Sequence, residues 1–512
     1  MHRNSCLTES ALAGCALGTR ESRHSTAWLL IAALAVVSLL PPLLLRGMSL
    51  DGVIYSTVSR NMAVGIGDAW HPIYRTAGHA FHEHPPLAFV IQSALFRLLG
   101  DHWWVDRLYS TLTCIPTGLV LVLIWRRLVR EAPRLRAFGW LPIALWVLMP
   151  AWPWIYRNNL LENTLGIFTA LAVYAALRAI QSTRGWTAWT ALAALAIVAA
   201  VLSKGPVGLF PLATPAMAWL ALRPPSAARA ALVQGLLVVS VAACLGVLLA
   251  APASRDFLAT YFNQQVARSL RGHREPTDSS LGQFQLVWVL FQDLAPSAFM
   301  AGLCVFFARR RAPDASDLAL RGSALFCLLV GASASIPIMF SPKQTGYYAA
   351  PSWPFYMLAV ALWSAPAVEH LLNRAKERPS LVRAGRWLRP IAVGTLVLTV
   401  ALSPLWAGAA LRDKQLLADV EQIGRAVGDH ATVMIRPDMI NDWNLQAYLY
   451  RMFYISTEVG SGGANAGFQL EPANVEQNPP AGCTPQAAGL TMYRLYRRSG
   501  VAAPEATVTR AR

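Results

Sequence analysis

The sequence predicts a polytopic α-helical membrane protein of about eleven spans with a small C-terminal α/β domain, and three observations carry that prediction. Of 512 residues 55% are hydrophobic and only 14% charged, and the mean hydropathy of +0.40 is too high for a soluble chain of this size. The apolar stretches are Ala/Leu/Val-rich runs of membrane length without barrel-like alternation, so each span satisfies its own backbone as a helix. After residue 408 the composition turns mixed and polar for about 100 residues.

Apolar runs and basic loops together place spans near 27–45, 104–125, 138–154, 164–180, 188–203, 206–222, 230–251, 283–307, 321–340, 347–367 and 390–408. The first run has no small-residue cleavage site after it and reads as a retained signal anchor behind a floppy cytoplasmic tail, 1–26. The basic loops 126–136, 178–186, 223–229, 308–321 and 373–389 alternate consistently if all are cytoplasmic. That parity requires residues 85–99, fifteen residues opened by Pro85-Pro86 and holding Arg97, to lie as an interfacial helix. A short crossing there would flip everything downstream. The formal charge of +17 sits in short loops, the topogenic pattern, and no nucleic-acid partner is expected. The seven cysteines show no CxxC or Cys/His spacing, which argues against a disulfide framework or zinc knuckle.

The expected organisation is therefore a cytoplasmic tail, 1–26, a transmembrane domain, 27–408, with outer loops 46–103 and 252–282, and an extracytoplasmic domain, 409–512. Within the last, LADVEQIGRAV and NDWNLQAYLYRM read as helices, ATVMIR and LTMYRLYRR as strands. No internal repeat is visible, which excludes a solenoid.

On this topology several chemically capable residues share the outer face. Asp51, beside Gly52, is either an interfacial general base or a solvated cap of the segment VIYSTVSRNM. Glu83 and His84, followed by Pro85-Pro86 and with His71, His79 and His82 nearby, offer ligands for Zn²⁺, Mg²⁺ or Mn²⁺, or form an ordinary polar loop. Arg157 and Glu162 flank RNNLLENT, with Glu162 suited to a helix N-terminus. Lys204 in LSKGPVG and Lys343 in SPKQTGYY are outer-side lysines, against the positive-inside bias, and either snorkel or face a phosphate. The loop YFNQQVARSLRGHREP places Arg268, Arg271, His273 and Arg274 in one strongly basic outer segment, suited to an anionic head group or leaving group.

Taken together these segments resemble the GT-C membrane glycosyltransferases that use polyprenyl-phosphate sugars, particularly the branch containing the lipid A aminoarabinose transferase and, more broadly, the protein O-mannosyltransferases. The resemblance rests on Asp51 followed four residues later by Tyr55, on EHPPL, on RNNLLE, on the KGP of LSKGPVG and on SPKQTGYYAAPSWP, in that order across residues 51–356. It implies inverting transfer of a sugar from a polyprenyl-phosphate donor to a lipid or glycan acceptor at the outer face of a bacterial inner membrane. Asp51 would be the base and Glu162 an acceptor-positioning or supporting acid. Lys204, Lys343, Arg268, His84 and Tyr347 would bind the donor phosphate, and Tyr55 and Arg157 would position the acceptor. Glu83 and His273 would be the pair for a divalent metal. The expected partners are the polyprenyl-linked sugar, the acceptor and the bilayer, around a monomer. Protein O-glycosyl transfer is the second reading. A transporter or flippase is the third, and it fits less well because the special residues sit at span ends rather than near midplane.

The chain departs from the aminoarabinose branch at three places. Gly52 stands where those enzymes have Glu, His84 where they have Lys, and Glu162 where many relatives have Asp. An unperturbed imidazole is mostly uncharged near neutral pH, so His84 is the weaker phosphate anchor.

Overall fold

The computed structural model describes residues 5–75, 79–223, 226–271, 281–309, 316–341, 344–463, 466–474, 479–486 and 489–499. These fall into two compact units, a helical one (1–43, 110–157 and 161–405) and a mixed one (44–109, 158–160 and 406–512).

In the helical unit the apolar runs become helices because a backbone in hydrocarbon has no other donor or acceptor than itself. Among the described residues, nine helices are long and apolar enough to cross a membrane: His24–Leu43, Val105–Leu128, Leu161–Gln181, Trp186–Lys204, Ala227–Ala250, Gln285–Phe307, Asp317–Met339, Gly346–Lys376 and Pro379–Trp406. Two of the eleven expected spans are not continuous. Residues 138–154 break at Pro150 into Trp140–Val147 and Trp152–Arg157. Residues 206–222 begin as a 3₁₀ stretch around Pro211, Pro206–Ala213, before Thr214–Leu222. Proline removes a ladder donor and crowds the preceding turn, which is why both runs break there. The first break is compensated: Asp293 accepts a hydrogen bond from the Ala151 amide at the start of the short helix.

The segment 1–26, expected as a floppy tail, is helical from Ser5, continuous with Ser5–Leu43. Helices Leu161–Gln181 and Trp186–Lys204 meet through Ala172, Ala175 and Ala176 against Ala193, Ala194, Ala196 and Ile197. Small residues at such a contact let two backbones approach closely, the usual device where lipid supplies no hydrophobic drive. A left-handed Gly185 (φ +67°) makes the turn between them.

The mixed unit contains helix Leu50–Ala63, a short antiparallel hairpin of β1 (Ile73–Arg75) and β2 (His79–Ala80), and helix Leu87–Leu99. At 13 residues the last is about 20 Å long, well short of the roughly 30 Å hydrocarbon thickness. The C-terminal part supplies helices Lys414–Val427 and Trp443–Phe453 and strands β3 (Thr432–Ile435), β4 (Ser456–Glu458), β5 (Phe468–Pro472), β6 (Cys483–Pro485) and β7 (Tyr493–Arg498). Their order is β4-β3-β5-β7-β6, with β3 parallel to β4 and β5, and β7 antiparallel to β5 and β6. Val433 faces Phe468, and Leu470 faces Leu495. The α/β content expected after residue 408 is therefore present, with β4, β5 and β6 added to the four elements read from sequence.

One core joins the two parts of this unit. Met48 and Val53 are buried with Leu416, Leu417, Val420, Ile423, Val433, Leu449, Leu470 and Leu495. The first outer loop, assigned from sequence to the transmembrane domain, thus clusters with the C-terminal segment. Its apolar residues find their burial there.

Candidate active-site residues

In the mixed unit, Asp51 lies in the first turn of helix Leu50–Ala63 and is half-buried. A carboxylate at that position interacts favourably with the exposed amides of a helix start. Tyr55, four residues on, shares its face and is 5% exposed. The Tyr55 ring meets His84 edge-on at 5.5 Å and lies 5.8 Å from Phe89, and Phe81 stands 6.5 Å from both Tyr55 and His84. EHPPL therefore sits where Pro85 and Pro86 are buried and aromatic rings hold the imidazole, while Glu83 is exposed.

The start of the Asp51 helix is tied to Asn158 and Asn159, the middle of RNNLLE. Ser49 donates its amide to Asn158 Oδ1 at 2.8 Å. Asn159 Nδ2 donates to the Gly52 carbonyl at 3.2 Å, and Gln92 Nε2 donates to Asn159 Oδ1 at 2.9 Å. Ser59 Oγ donates to Gln92 Oε1 at 2.7 Å, closing the set. Asn159 is left-handed (φ +52°), a conformation asparagine tolerates better than most residues. The contact also accounts for Gly52: a Cβ there would lie 2.1 Å from the Asn158 carbonyl oxygen. The glutamate of the aminoarabinose branch does not fit this backbone.

A second set of charges holds the same helix from below. Arg60 is fully buried, donates to Asp101 Oδ2 at 3.1 Å and to the Tyr450 carbonyl at 3.2 Å, and stacks 3.6 Å from the Tyr454 ring centre. Arg451 donates to Asp101 Oδ1 at 2.7 Å and to Ser56 Oγ at 2.8 Å, and Ser56 donates to Asp106 Oδ2 at 2.7 Å. Burial opposes the charge on Asp101, but Arg451 and Arg60 outweigh it and hold the carboxyl below the usual carboxylate range. Burial likewise opposes the Arg451 charge, which Asp101 and Asp106 more than restore. A cavity of about 250 Å³ opens beside this network, lined among others by Arg46, Met48, Trp103, Arg107 and Tyr448.

In the helical unit, Lys204 and Glu162 form an ion pair, Lys204 Nζ donating to Glu162 Oε1, with side-chain exposures of 9% and 1%. The Lys204 ammonium also lies 4.8 Å from the Tyr348 ring centre and 5.6 Å from that of Tyr347. KGP has a local reason: Gly205 (φ +86°) ends helix Trp186–Lys204, and a Cβ there would lie 1.9 Å from the Tyr261 hydroxyl. Glu162, read from sequence as a supporting acid, opens helix Leu161–Gln181 and is the buried ion-pair partner of Lys204. An ammonium has three N–H donors, and one goes to Glu162.

Of the remaining expected residues, Arg157 is exposed at the end of its short helix, and Arg268 is exposed at the start of Arg268–Leu270. Lys343 and His273 lie outside the described residues. Among the described residues no group of three or more His, Cys, Asp or Glu side chains is arranged to hold a metal ion, and His71 is engaged at 3.1 Å by Asp68. The described residues do not by themselves supply a metal site at Glu83.

Sequence reading did not single out Asn158, Asn159, Tyr261, Tyr348, Asp101, Tyr448 or Arg451. Asn158, Asn159 and Tyr261 stood inside quoted motifs, and Tyr348 is the second tyrosine of the GYY that holds Tyr347. Asp101, Tyr448 and Arg451 lie in helices or loops whose pairing across hundreds of residues has no local signal.

No curated protein matches the chain at the level of sequence. Residues 83–254, about a third of the chain and spanning EHPPL, RNNLLE and KGP, match the family of dolichyl-phosphate-mannose-protein mannosyltransferases. Among solved structures, the chain is similar to ArnT from Cupriavidus metallidurans in the apo state, with TM-score 0.60 and 16% identity over 92% of this chain and 98% of that one. The same protein bound to undecaprenyl phosphate aligns with TM-score 0.60 and 15% identity over 93% and 99%. A weaker likeness, TM-score 0.49 at 10% identity over 87% and 69%, is to the archaeal oligosaccharyltransferase AglB from Archaeoglobus fulgidus in complex with an inhibitory peptide and a dolichol-phosphate. The ArnT likeness carries the fold, and the matched segment contains three of the five motifs, EHPPL, RNNLLE and KGP.

Proposed function

We propose that the chain transfers a sugar, with inversion, from a polyprenyl-phosphate donor to a lipid or glycan acceptor at the outer face of a bacterial inner membrane. The observation that carries this reading is Lys204, a buried lysine paired with Glu162 and flanked by Tyr347 and Tyr348. It lies within the segment matching a family named for a dolichyl-phosphate sugar donor. The ArnT structure with undecaprenyl phosphate supports a donor of the same class.

In the proposed reaction, Asp51 takes the proton from the acceptor hydroxyl or phosphate as its oxygen attacks the anomeric carbon. The bond from that carbon to the donor phosphate breaks, and the electron pair leaves with the polyprenyl phosphate. Lys204 neutralises the departing charge, with Lys343, Arg268 and His84 proposed as further donors to it. Stabilising charge where it develops is usually the largest catalytic term. Tyr55 and Arg157 are proposed to position the acceptor. The outer-face assignment follows from loop charge parity, and a monomer suffices for every step.

A second reading, protein O-glycosyl transfer, is favoured by one observation, the family match over residues 83–254. Mass spectrometry of envelope lipids, glycans and proteins from cells with and without the gene separates the two. A sugar missing from a lipid or glycan is expected, whereas one missing only from protein would select the second reading. An unchanged envelope would remove both.

A further inference from the structure

We propose that Tyr448 is a positioning residue for Asp51, so that the C-terminal segment, through one phenol, sets the geometry of the proposed base. The proposal rests on the reading of Asp51 as that base.

Tyr448 lies in helix Trp443–Phe453 and is 5% exposed. Its hydroxyl accepts the Met48 amide proton at 2.8 Å. Its own proton is shared between the Met48 carbonyl at 3.0 Å and Asp413 Oδ2 at 2.8 Å. Burial pushes the phenol far above its ordinary value, so it stays a donor at every working pH. Both main-chain groups of Met48 are thus gripped three residues before Asp51, immediately ahead of the helix start. The next hold along that helix is Arg451, one turn further on the same C-terminal helix, donating to Ser56 at 2.8 Å. Tyr448 therefore governs the entry of the helix and Arg451 its middle. On the other side, Asn158 holds Ser49 and packs against Gly52. Asp51 is bracketed by fixed backbone on both sides in sequence, and Tyr448 is the component that comes from some 400 residues away.

Such a hold matters because proton transfer from an acceptor needs the base within hydrogen-bond reach, and a displacement of about 1 Å can cost about a hundredfold in rate. Removing the phenol hydroxyl leaves the ring packing in place and frees the Met48 peptide. The consequence belongs to kcat rather than to donor affinity, since Tyr448 holds the backbone that leads into Asp51.

The test compares full-length Tyr448→Phe with Tyr493→Phe, using polyprenyl-phosphate sugar as donor. Tyr493 is an equally buried phenol of the same unit, hydrogen-bonded to Asp442, and has no contact with residues 46–63 among the hydrogen bonds of the described residues. Tyr448→Phe is expected to lower kcat about tenfold with the donor KM unchanged, while Tyr493→Phe loses comparable thermal stability and keeps kcat. Asp413→Asn, which weakens the same grip without touching the core, should move kcat in the same direction by less, and it serves if Tyr448→Phe does not fold. Equal kcat for the two phenylalanine variants, or a change in KM alone, overturns the proposal. Asp51→Asn assayed alongside separates the failures. An inactive Asp51→Asn with an unaffected Tyr448→Phe overturns positioning only, and an active Asp51→Asn overturns the base reading and positioning together.

Discussion

Gly52 and Lys204 are the two positions where single side chains decide most. At Gly52 any Cβ meets the Asn158 carbonyl, so alanine forces the helix entry to shift. Overpacking of that kind costs about 1–3 kcal/mol. Gly52→Ala is expected to lower the thermal midpoint and Gly52→Glu to lower it further, as read by fluorescence-detected unfolding in detergent. A Gly52→Glu protein as stable as the parent would contradict the contact. At Lys204 two effects separate. Removing the cation leaves Glu162 buried and uncompensated, a loss of about 3–5 kcal/mol, and it also removes the proposed phosphate contact. Lys204→Met paired with Glu162→Gln should therefore recover stability but not turnover, with kcat/KM down about a hundredfold or more. Recovery of both would make the pair purely structural. The motifs at these positions were legible in sequence. The reasons for them, a carbonyl at Gly52 and a tyrosine hydroxyl at Gly205, come from distant residues and leave no local trace.

Among the elements, helix Leu50–Ala63 shows why a loop read as an appendage of the membrane domain is something else. Its two ends and its middle are held by Tyr448, Arg451 and the Tyr450 carbonyl, all from helix Trp443–Phe453. Hydropathy identifies spans because burial in lipid is continuous along a run, but it says nothing of which polar loop shares a core with which. The same limit explains the broken elements: 138–154 and 206–222 have the composition of spans, and Pro150 and Pro211 divide them. The charge network yields a pH prediction. Asp101 is held below the usual carboxylate range in the folded state, so its stabilising contribution is fully present above the unfolded value of about 3.9 and is lost as pH falls through the lower folded value. Unfolding followed from pH 6 downward should show wild-type stability falling below about pH 4, and Asp101→Asn less stable above that pH with a flatter acid limb that converges on wild type. Parallel acid limbs would take Asp101 out of the network.

At the scale of the molecule, nine long helices among the described residues, two further expected spans broken at prolines, and a mixed sheet after the compositional switch near residue 408 follow the helical membrane fold class that a mean hydropathy of +0.40 leads one to expect. The GT-C resemblance read from five short motifs is matched by the fold of ArnT along nearly the whole chain. What sequence left out is the partnership between residues 46–103 and the C-terminal segment in one hydrophobic core, because contacts hundreds of residues apart are set by topology and not by periodicity. That partnership places Asp51, the proposed proton acceptor, on a helix braced by the C-terminal segment. The most direct measurement is transfer from a polyprenyl-phosphate sugar by purified Asp51→Asn protein in detergent or lipid. The expected result is loss of turnover by about a hundredfold or more with the unfolding midpoint and donor binding retained; turnover near that of the unmodified protein would contradict the central claim.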